Sequence, residues 1–238
     1  MSSLYFVRHG QAGLRHDYDS LSELGSRQAE LLGEYFAAQR VRFAAIYSGA
    51  LARQRQTAEA VRQAYHAAGE TAPEIVVDPN WNEFDLDQVY REYAPLLSAD
   101  DAQFRADYAE MQRQARDLDS PIHRAWLPCD VAVVRAWTEA RYACQGESWV
   151  EFQARVARSL ATLGRFGRGQ SVAIFTSATP IAVWVGMAMG AADGRLMRLA
   201  AVIYNSAVTT LNLRGEDLRL FSFNGVPHLA SADLRTFR

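Results

Sequence analysis

The sequence predicts an α/β fold: a three-layer α/β/α sandwich with a mostly parallel mixed sheet and a helical cap insertion. Three observations support this prediction. Short apolar runs alternate with segments of helical periodicity, which is typical of strands joined by crossover helices. The last two apolar runs are joined by a short polar turn, which indicates an antiparallel hairpin. A long stretch rich in Arg, Asp and Glu interrupts the alternation and predicts additional helices.

The first element is the apolar run from Leu4 to Val7, which stops at Arg8, His9 and Gly10. A continuous apolar run ended by glycine predicts a buried central strand. Open α/β sheets keep their ligand crevices at the carboxyl ends of such strands. Arginine offers a fixed fork of donors for phosphate, an imidazole can act as a nucleophile, and glycine lets the backbone approach a ligand. The alternative is a strand that simply ends in polar residues.

The next elements follow in the order expected for alternating strands and helices. Ser22 is placed to cap a helix whose apolar side chains fall on one face. Two further apolar runs end in polar residues and predict the second and third strands, with a helix between them. The predicted bounds are Phe43 to Tyr47 for the second strand, about Ala50 to Ala68 for the helix, and Glu74 to Val77 for the third strand.

Residues 86 to 145 are predicted to form a helical insert. This stretch is rich in charged side chains and has no β-branched run before Val131. We expect a single domain over residues 1–238 that carries this segment as a cap. The helices of the insert are predicted over Gln88 to Pro95, over Asp100 to Asp117 and around Val131 to Ala143.

Beyond the insert, Ser148 and Glu151 have the spacing of a capping box, so a helix is expected to begin there. Residues 171 to 192 contain no charged side chain and are long enough to suggest a membrane span. Polar residues from Thr176 to Pro180 interrupt this segment, so we interpret it as a short strand, a turn and a buried helix starting near Pro180. The final hairpin is predicted over Ala207 to Leu213 and Leu218 to Phe223.

The composition argues against several classes of function. The chain has 238 residues, 49% of them hydrophobic, and a formal charge of −2, so neither nucleic acid nor a membrane is an expected partner. All basic side chains are Arg, which excludes Lys-based Schiff-base and P-loop chemistry. Cys129 and Cys144 lack metal-ligand spacing, so we interpret them as idle thiols of a cytoplasmic protein. The first strand starts too close to Met1 for a signal peptide.

A second cation follows the second predicted strand. Arg53 lies in the first turn of the helix after Ser48 and Gly49, where free N–H groups and the helix dipole also favour anions. Two strand-end arginines, Arg8 and Arg53, aimed at one crevice would form a phosphate clamp. The alternative is that Arg53 and Arg55 lie on a solvent-exposed helix face.

Four segments, in chain order, resemble the histidine phosphatase (phosphoglycerate-mutase-like) superfamily. The matching order reaches from the N-terminus to about residue 213, and the combination is more specific than any single segment. The segments are Arg8-His9-Gly10, the helix start from Leu21 to Ala29, the run from Ser48 to Ala58, and Gly146-Glu147-Ser148 ahead of a helix that contains Arg155 and Val156.

The resemblance implies roles for the residues of the first two strand ends. His9 would be the nucleophile that takes the phosphoryl group, while Arg8 and Arg53 would bind its oxygens. Gly10 and Gln11, in the turn after the strand, would also lie at the phosphate. Because flanking guanidiniums disfavour an imidazolium, we expect His9 to be neutral and nucleophilic near pH 7.

The resemblance also implies that Glu83 donates a proton to the leaving oxygen. A proton donor must be protonated before the reaction, and we expect partial burial beside Trp81 and Phe84 to favour that form. Asp85 and Asp87 are rival donors in the same loop. No metal ion or other cofactor is expected, because arginines can neutralise the charge of the transferred group.

The chain departs from the family at the end of the strand that precedes Thr176. The family places a second His there, typically followed by Gly, whereas this chain has Ser177 and Ala178. We expect both residues to lie at the phosphate, with Ser177 donating one hydrogen bond and the following helix adding its dipole. Neither replaces an imidazolium, so a slower reaction is expected.

Two further residues are candidates for the pocket. Asn205 matches a recurrent family pattern before the last strands, although an ordinary turn residue is a near-equal alternative. His16 lies in the loop after the nucleophile and is the first candidate by location to substitute for the missing His. His66, His123 and His228 are interpreted as structural or surface residues.

The sequence therefore predicts a metal-independent phosphohydrolase that acts on a small phosphomonoester through a phosphohistidine at His9. One alternative is a non-catalytic protein that binds phosphate or a phosphorylated ligand, and Ser177 is the main observation in its favour. A phosphomutase, or an interaction protein that uses the insert as its surface, is ranked lower. The expected partners are a small phosphorylated substrate or inorganic phosphate, and a homo-oligomer remains open.

Overall fold

The computed structural model describes residues 1–143 and 145–237. Its strands and helices confirm the predicted α/β class with a mostly parallel mixed sheet. Of the two cysteines, Cys129 is buried with a free thiol, whereas the interpretation of Cys144 falls outside the described residues.

The strands form one six-stranded sheet in the order β3-β2-β4-β1-β5-β6. The first four strands in this order run parallel to one another. Strand β5 pairs antiparallel with β1 on one side and with β6 on the other, as the predicted hairpin requires. The strands span Ser2–Arg8 (β1), Phe43–Ser48 (β2), Ile75–Val77 (β3), Ser171–Thr176 (β4), Val208–Arg214 (β5) and Asp217–Gly225 (β6).

The α-helices are labelled in chain order. They span Glu23–Ala38 (α1), Ala52–Ala67 (α2), Leu86–Asp100 (α3), Ala102–Gln114 (α4), Pro128–Thr138 (α5), Trp149–Arg158 (α6), Leu160–Leu163 (α7), Ala178–Met189 (α8) and Leu196–Ala200 (α9). None of the helices within the described residues is long and apolar enough to cross a membrane.

Tertiary contacts divide the chain into two compact units. The sheet unit comprises Met1–Gly13, Tyr18–Glu83 and the chain from Arg155 onward, and the helical unit comprises Leu14–Asp17 and Phe84–Ala154. The interpretation of the whole chain as one domain with an insert at 86–145 stays a prediction.

The sheet unit has helices on both faces of β1. Successive strand residues point to opposite faces, and Val7 packs in the core formed with α1 and α2. Phe6 points the other way, where its ring lies 5.1 Å from that of Trp184 in α8 and 6.0 Å from that of Trp81. This alternation gives the three layers that the sequence predicts.

Two capping predictions are confirmed because they depend on near neighbours in the chain. The Ser22 hydroxyl accepts a hydrogen bond from the Gly25 N–H at 3.0 Å and caps α1. At the start of α6, the Ser148 N–H donates to the Glu151 carboxylate at 2.9 Å, and the Glu151 N–H donates back to the Ser148 hydroxyl at 3.3 Å.

The predicted end of the first insert helix at Pro95 is wrong. Helix α3 continues through Pro95 to Asp100, although proline removes one backbone N–H from its interior. Val89, Tyr93 and Leu97 are buried along the helix. Packing of this apolar face outweighs the local preference to end the helix, which is why the proline alone misplaced the boundary.

The helical unit has an aromatic core and one buried ion pair. The ring of Trp137 lies 4.7 Å from Phe84 and 5.4 Å from Trp149. Arg15 pairs with the fully buried carboxylate of Asp130 at 2.5 Å. Burial alone would raise the pKa of Asp130, but hydrogen bonds from Arg15 and Tyr90 hold it below its ordinary value. The ion pair is therefore ionised, and it fixes α5 within this unit.

Candidate active site

The carboxyl ends of β1 and β4 lie side by side. Arg8 pairs with Thr176 in parallel register, and the His9 N–H donates to the Thr176 carbonyl at 2.9 Å. The neighbouring strand β2 ends at the same edge, where the Gly49 N–H donates to the Phe175 carbonyl at 3.1 Å. The sheet therefore brings together the predicted site residues from three strand ends, as expected for an open α/β sheet.

The imidazole of His9 is held in one tautomer. Its Nδ1 lies 2.7 Å from the carbonyl oxygen of Gly10, which can only accept, so Nδ1 carries the proton. The Nε–H of Arg53 points at Nε2 from 3.3 Å, so Nε2 presents a lone pair. The neutral ring thus has its nucleophilic nitrogen facing a guanidinium.

The surroundings of His9 favour this neutral form. The residue is only 2% exposed. Burial first, and then the positive charges of Arg53 and Arg8, hold the pKa of His9 well below its ordinary value. The ring is therefore unprotonated at neutral pH, as the sequence predicted.

Asn205 supports the turn that carries His9. Its side-chain amide lies 3.4 Å from the His9 carbonyl and 3.5 Å from the Gly10 carbonyl. The Asn205 side chain in turn accepts a hydrogen bond from the Thr236 hydroxyl at 2.9 Å, and its backbone N–H donates to the Thr236 carbonyl at 2.8 Å. Asn205 thus links the C-terminal segment to the backbone around His9.

Gly10 is required by packing against α1. A Cβ at this position would lie 2.3 Å from the Gly25 carbonyl oxygen, closer than any side chain allows. The adjacent Gln11 is buried; its N–H donates to the Gln28 side chain at 2.8 Å, and its side chain accepts from the Ser22 hydroxyl. These contacts hold the turn rigidly between β1 and α1.

Arg53 is buried, and its guanidinium is held along one edge. Its Nη1 lies 2.9 Å from a carboxylate oxygen of Asp19, and its Nε faces His9. The ring of Tyr18 covers the guanidinium plane at 5.0 Å. The arginine therefore lies where the sequence predicted, but it is oriented by Tyr18 and Asp19, two residues of the segment between β1 and α1.

Two backbone carbonyls bind the Nη1 and Nη2 groups of the Arg8 guanidinium. Nη1 donates to the Ile203 carbonyl, and Nη2 donates to the Phe237 carbonyl at 2.6 Å. Its Nε–H is buried with no hydrogen-bond partner among the described residues. Burial lowers the pKa of Arg8, while Tyr18 and Glu83 act in the opposite direction. An unpaired N–H on a buried cation is suited to an anionic ligand.

Glu83 follows a short 3-10 turn over Pro79–Trp81. The guanidinium of Arg155 donates to the carbonyls of Pro79, Asn80 and Asn82 at 3.0 to 3.2 Å, so it fixes the path of this segment. The Glu83 carboxylate then accepts the backbone N–H of Thr179 at 3.1 Å, in the first turn of α8. Glu83 thus lies beside the end of β4. Asp85 instead caps α3 in the helical unit.

Ser177 follows β4 as His9 follows β1, and it is buried at the N-cap position of α8, where its side chain makes no capping hydrogen bond to any described residue. Its hydroxyl accepts a hydrogen bond from the side-chain amide of Gln54 at 2.8 Å. Because that oxygen is the acceptor, the Ser177 O–H remains able to donate to a ligand. Ala178, the next predicted residue, is the first residue of α8.

His16 belongs to the helical unit, where its ring lies 6.0 Å from that of His123. Its assignment to the pocket stays a prediction. Across the described residues, no group of three His, Cys, Asp or Glu side chains is placed to hold a metal ion.

Four residues of this arrangement were missed by sequence reasoning: Tyr18, Asp19, Gln54 and Phe237. Gln54 is fully buried next to Arg53 in the sequence, so its position in a helix that packs on the sheet was a usable signal. The other three act through contacts 34 or more residues away in sequence or through the backbone, and no local pattern marks them.

Comparison with solved structures places this geometry in a known fold. YhfR of Bacillus stearothermophilus matches with a TM-score of 0.66 and 19% identity over 96% of this chain and 100% of that one. Phosphoserine phosphatase of Entamoeba histolytica, a mutant in complex with phosphoserine, matches with a TM-score of 0.57 and 18% identity over 96% and 100%. A mycobacterial glucosyl-3-phosphoglycerate phosphatase in complex with inorganic phosphate matches with a TM-score of 0.56 and 21% identity over 94% and 97%.

The sequence itself matches one family model. A comparison with curated proteins gives no significant match. The model of the histidine phosphatase superfamily (branch 1) matches residues 4–225, which is nearly the whole chain and includes every strand-end residue described above. The chain therefore belongs to branch 1 of the histidine phosphatase superfamily.

Proposed function

We propose that this protein is a metal-independent phosphohydrolase that cleaves a small phosphomonoester through a phosphohistidine at His9. The observation that carries the proposal is the pairing of a neutral imidazole with two buried guanidiniums. Nε2 of His9 presents its lone pair 3.3 Å from Arg53 Nε, and the Nε–H of Arg8 is buried without a partner among the described residues. Such donors stabilise the charge of a transferring phosphoryl group.

In the first step, His9 Nε2 forms a bond to phosphorus as the bond from phosphorus to the leaving oxygen breaks. Glu83, in its protonated form, gives a proton to that oxygen, so the product is an alcohol. In the second step, water attacks the phosphohistidine, the bond between nitrogen and phosphorus breaks, and inorganic phosphate forms. The Glu83 carboxylate takes the proton of the water, which restores the starting state.

The charge of the site supports a reaction that needs no metal ion. Phosphoryl transfer requires in-line positioning and neutralisation of the equatorial oxygens more than covalent assistance. Arg8 and Arg53 supply two permanent positive charges beside the nucleophile, and both are buried, where charges act strongly. Similarity to a phosphoserine phosphatase and to a glucosyl-3-phosphoglycerate phosphatase is consistent with a phosphomonoester substrate.

The second candidate function is phosphate or phospho-ligand binding without turnover. Ser177 favours it, because a neutral hydroxyl lies at the strand position where the family resemblance implies a second His. The hydroxyl, already bonded to Gln54, offers a single donor to the phosphoryl oxygens. We rank this function second, because the neutral imidazole of His9, the buried guanidiniums of Arg8 and Arg53 and the nearby Glu83 carboxylate support turnover. A phosphomutase ranks lower still.

The deciding experiment is hydrolysis of an aryl phosphate by metal-free protein, compared with the His9→Ala variant. We expect the variant to lose on the order of a thousandfold or more in rate, as is usual when a covalent nucleophile is removed. Acid quenching during turnover should trap acid-labile phosphate on the wild type and none on the variant. Turnover that is unaffected by His9→Ala excludes the phosphohistidine route, and phosphate binding without turnover supports the second function.

A further inference from the structure

The carboxylate of Asp19 makes three hydrogen bonds at the start of α2. One oxygen accepts the N–H of Ala52 at 3.1 Å, and the other accepts the N–H of Arg53 at 3.5 Å and its Nη1 at 2.9 Å. The preceding residue, Leu51, offers α2 no side-chain cap. Asp19 therefore caps the helix from a distant part of the chain and binds the first cation that the helix carries.

The neighbouring side chain holds the same arginine from another direction. The Tyr18 ring lies 5.0 Å from the Arg53 guanidinium carbon, a distance typical of a cation–π contact. The ring also meets the His9 ring edge-on at 6.5 Å. Asp19 thus binds the Nη1 side of the guanidinium while Tyr18 covers its face, and the Nε–H on the opposite edge points at His9.

The planarity of the guanidinium makes this orientation specific. Nε–H and one N–H of Nη2 are parallel on the edge opposite Nη1, and this edge is suited to two oxygens of one phosphate. Nε already points at His9 Nε2. An arginine side chain has several rotatable bonds, so without restraints its fork samples orientations that do not face the nucleophile.

We propose that Tyr18 and Asp19 are positioning residues that clamp Arg53 with its Nε/Nη2 edge toward the phosphoryl group on His9. The inference rests on the proposed function and deepens it, because it names what orients one of the two phosphate-binding arginines. Asp19 acts through Arg53, so its importance disappears when Arg53 is absent. This positioning role also explains why the half-exposed carboxylate of Asp19 lies next to the proposed phosphate site, although its negative charge alone would oppose phosphate binding.

The test is a double-mutant cycle of Asp19→Asn and Arg53→Ala, measured as kcat/KM for an aryl phosphate with metal-free protein. Asparagine keeps the size of the side chain and removes its charge. With Arg53 present, we expect Asp19→Asn to lower kcat/KM about tenfold, mostly through kcat, because the fork is misoriented. In the Arg53→Ala background, Asp19→Asn should not lower kcat/KM any further.

The four proteins of this cycle (the wild type, the two single variants and the double variant) are also titrated with inorganic phosphate by calorimetry. These titrations test the positioning of Arg53 even if turnover is absent. Loss of phosphate affinity on Asp19→Asn only when Arg53 is present supports the clamp. Asp101→Asn is the matched control, because Asp101 also caps a helix by accepting backbone N–H groups but belongs to the helical unit. It should change thermal stability as Asp19→Asn does and leave kcat/KM unchanged.

Two results would overturn the inference. If Asp19→Asn tightens phosphate binding or raises kcat/KM, then the carboxylate competes with phosphate rather than positioning Arg53. If Asp19→Asn lowers kcat/KM and phosphate affinity by the same factors with and without Arg53, then Asp19 only supports the fold. Absence of turnover in the wild type would count against the proposed function alone, because the phosphate titrations still decide between these outcomes.

Discussion

The ends of β1 and β4 occupy the same level of the sheet but carry different chemistry. On β1 the pair is Arg8 and His9, a cation and a nucleophilic ring; on β4 the aligned pair is Thr176 and Ser177, two hydroxyls. The Thr176 hydroxyl is bound to the Trp81 carbonyl, and the Ser177 hydroxyl to Gln54. The β1 end therefore carries a neutral imidazole and a buried cation with an N–H that is unpaired among the described residues, whereas the two hydroxyls at the β4 end are bonded within the protein.

This difference shows what backbone register does and does not decide. Parallel pairing aligns Arg8 with Thr176, and His9 and Ser177 directly follow this pair, so both positions lie at the same edge of the sheet. The register does not supply charge. Near the β4 end, an ionisable group comes from another segment: the Glu83 carboxylate accepts the Thr179 N–H at the start of α8.

The largest effect expected at the β4 end is that of Glu83→Gln. The amide keeps the hydrogen bond from Thr179 but cannot donate a proton to an alkoxide. We expect kcat to fall about a hundredfold for an alkyl phosphate, the usual size of general-acid catalysis. A nitrophenyl phosphate, whose leaving group needs no proton, should be much less affected.

The control for Glu83 is Asp87→Asn, in the first turn of α3, which should leave the hydrolysis of both substrates unaffected. If alkyl and nitrophenyl phosphates lose the same factor with Glu83→Gln, then Glu83 binds or positions the phosphate instead of donating the proton. If Asp87→Asn reproduces the selective loss on alkyl phosphates, then Asp87 is the acid.

A smaller effect is expected from making the two strand ends alike. Ser177→His introduces an imidazole beside His9, and a charged donor at a phosphoryl oxygen should raise kcat about tenfold. We expect a smaller increase in kcat than an unhindered contact would give, because the Gln54 side-chain amide already lies against residue 177. Ser177→Ala, which removes the hydroxyl without adding a donor, serves as the comparison and should lower kcat slightly.

The gain should be larger when Ser177→His is combined with Gln54→Ala, because the ring then has room to face the phosphate. No gain in either protein, together with normal thermal stability, would mean that the site is built around serine. In that case, the presence of serine rather than an imidazole at position 177 is not what limits the rate.

The smallest effect is on the titration of His9 and can be measured without turnover. Burial and the charges of Arg53 and Arg8 lower the pKa of His9, so the ring should stay neutral as pH falls through the ordinary range of histidine. Arg53→Gln removes one of these charges and should move the pKa upward by about one unit. Ring-carbon NMR shifts, assigned with His9→Ala, measure both values, and a midpoint near the ordinary value in the wild type would refute the electrostatic argument.

Sequence reasoning succeeded where the cause of a structure is local. Ser22 and the pair of Ser148 and Glu151 form the predicted caps because both partners lie within three residues of each other. The apolar run before Arg8 forms the predicted buried strand, because its side chains leave no other way to be shielded from water. Pro95 was misread because packing along α3 outweighs a local signal.

The same distinction applies to the candidate site. The sequence by itself determined which cations and which imidazole stand at strand ends, because the alternation of strands and helices fixes where each strand stops. Only the tertiary structure decided how they are oriented: the Asp19 carboxylate on Arg53, the Phe237 carbonyl on Arg8 and the Gly10 carbonyl on His9. The first two contacts join segments far apart in the chain, and hydrogen-bond direction depends on folded geometry that no short-range pattern encodes.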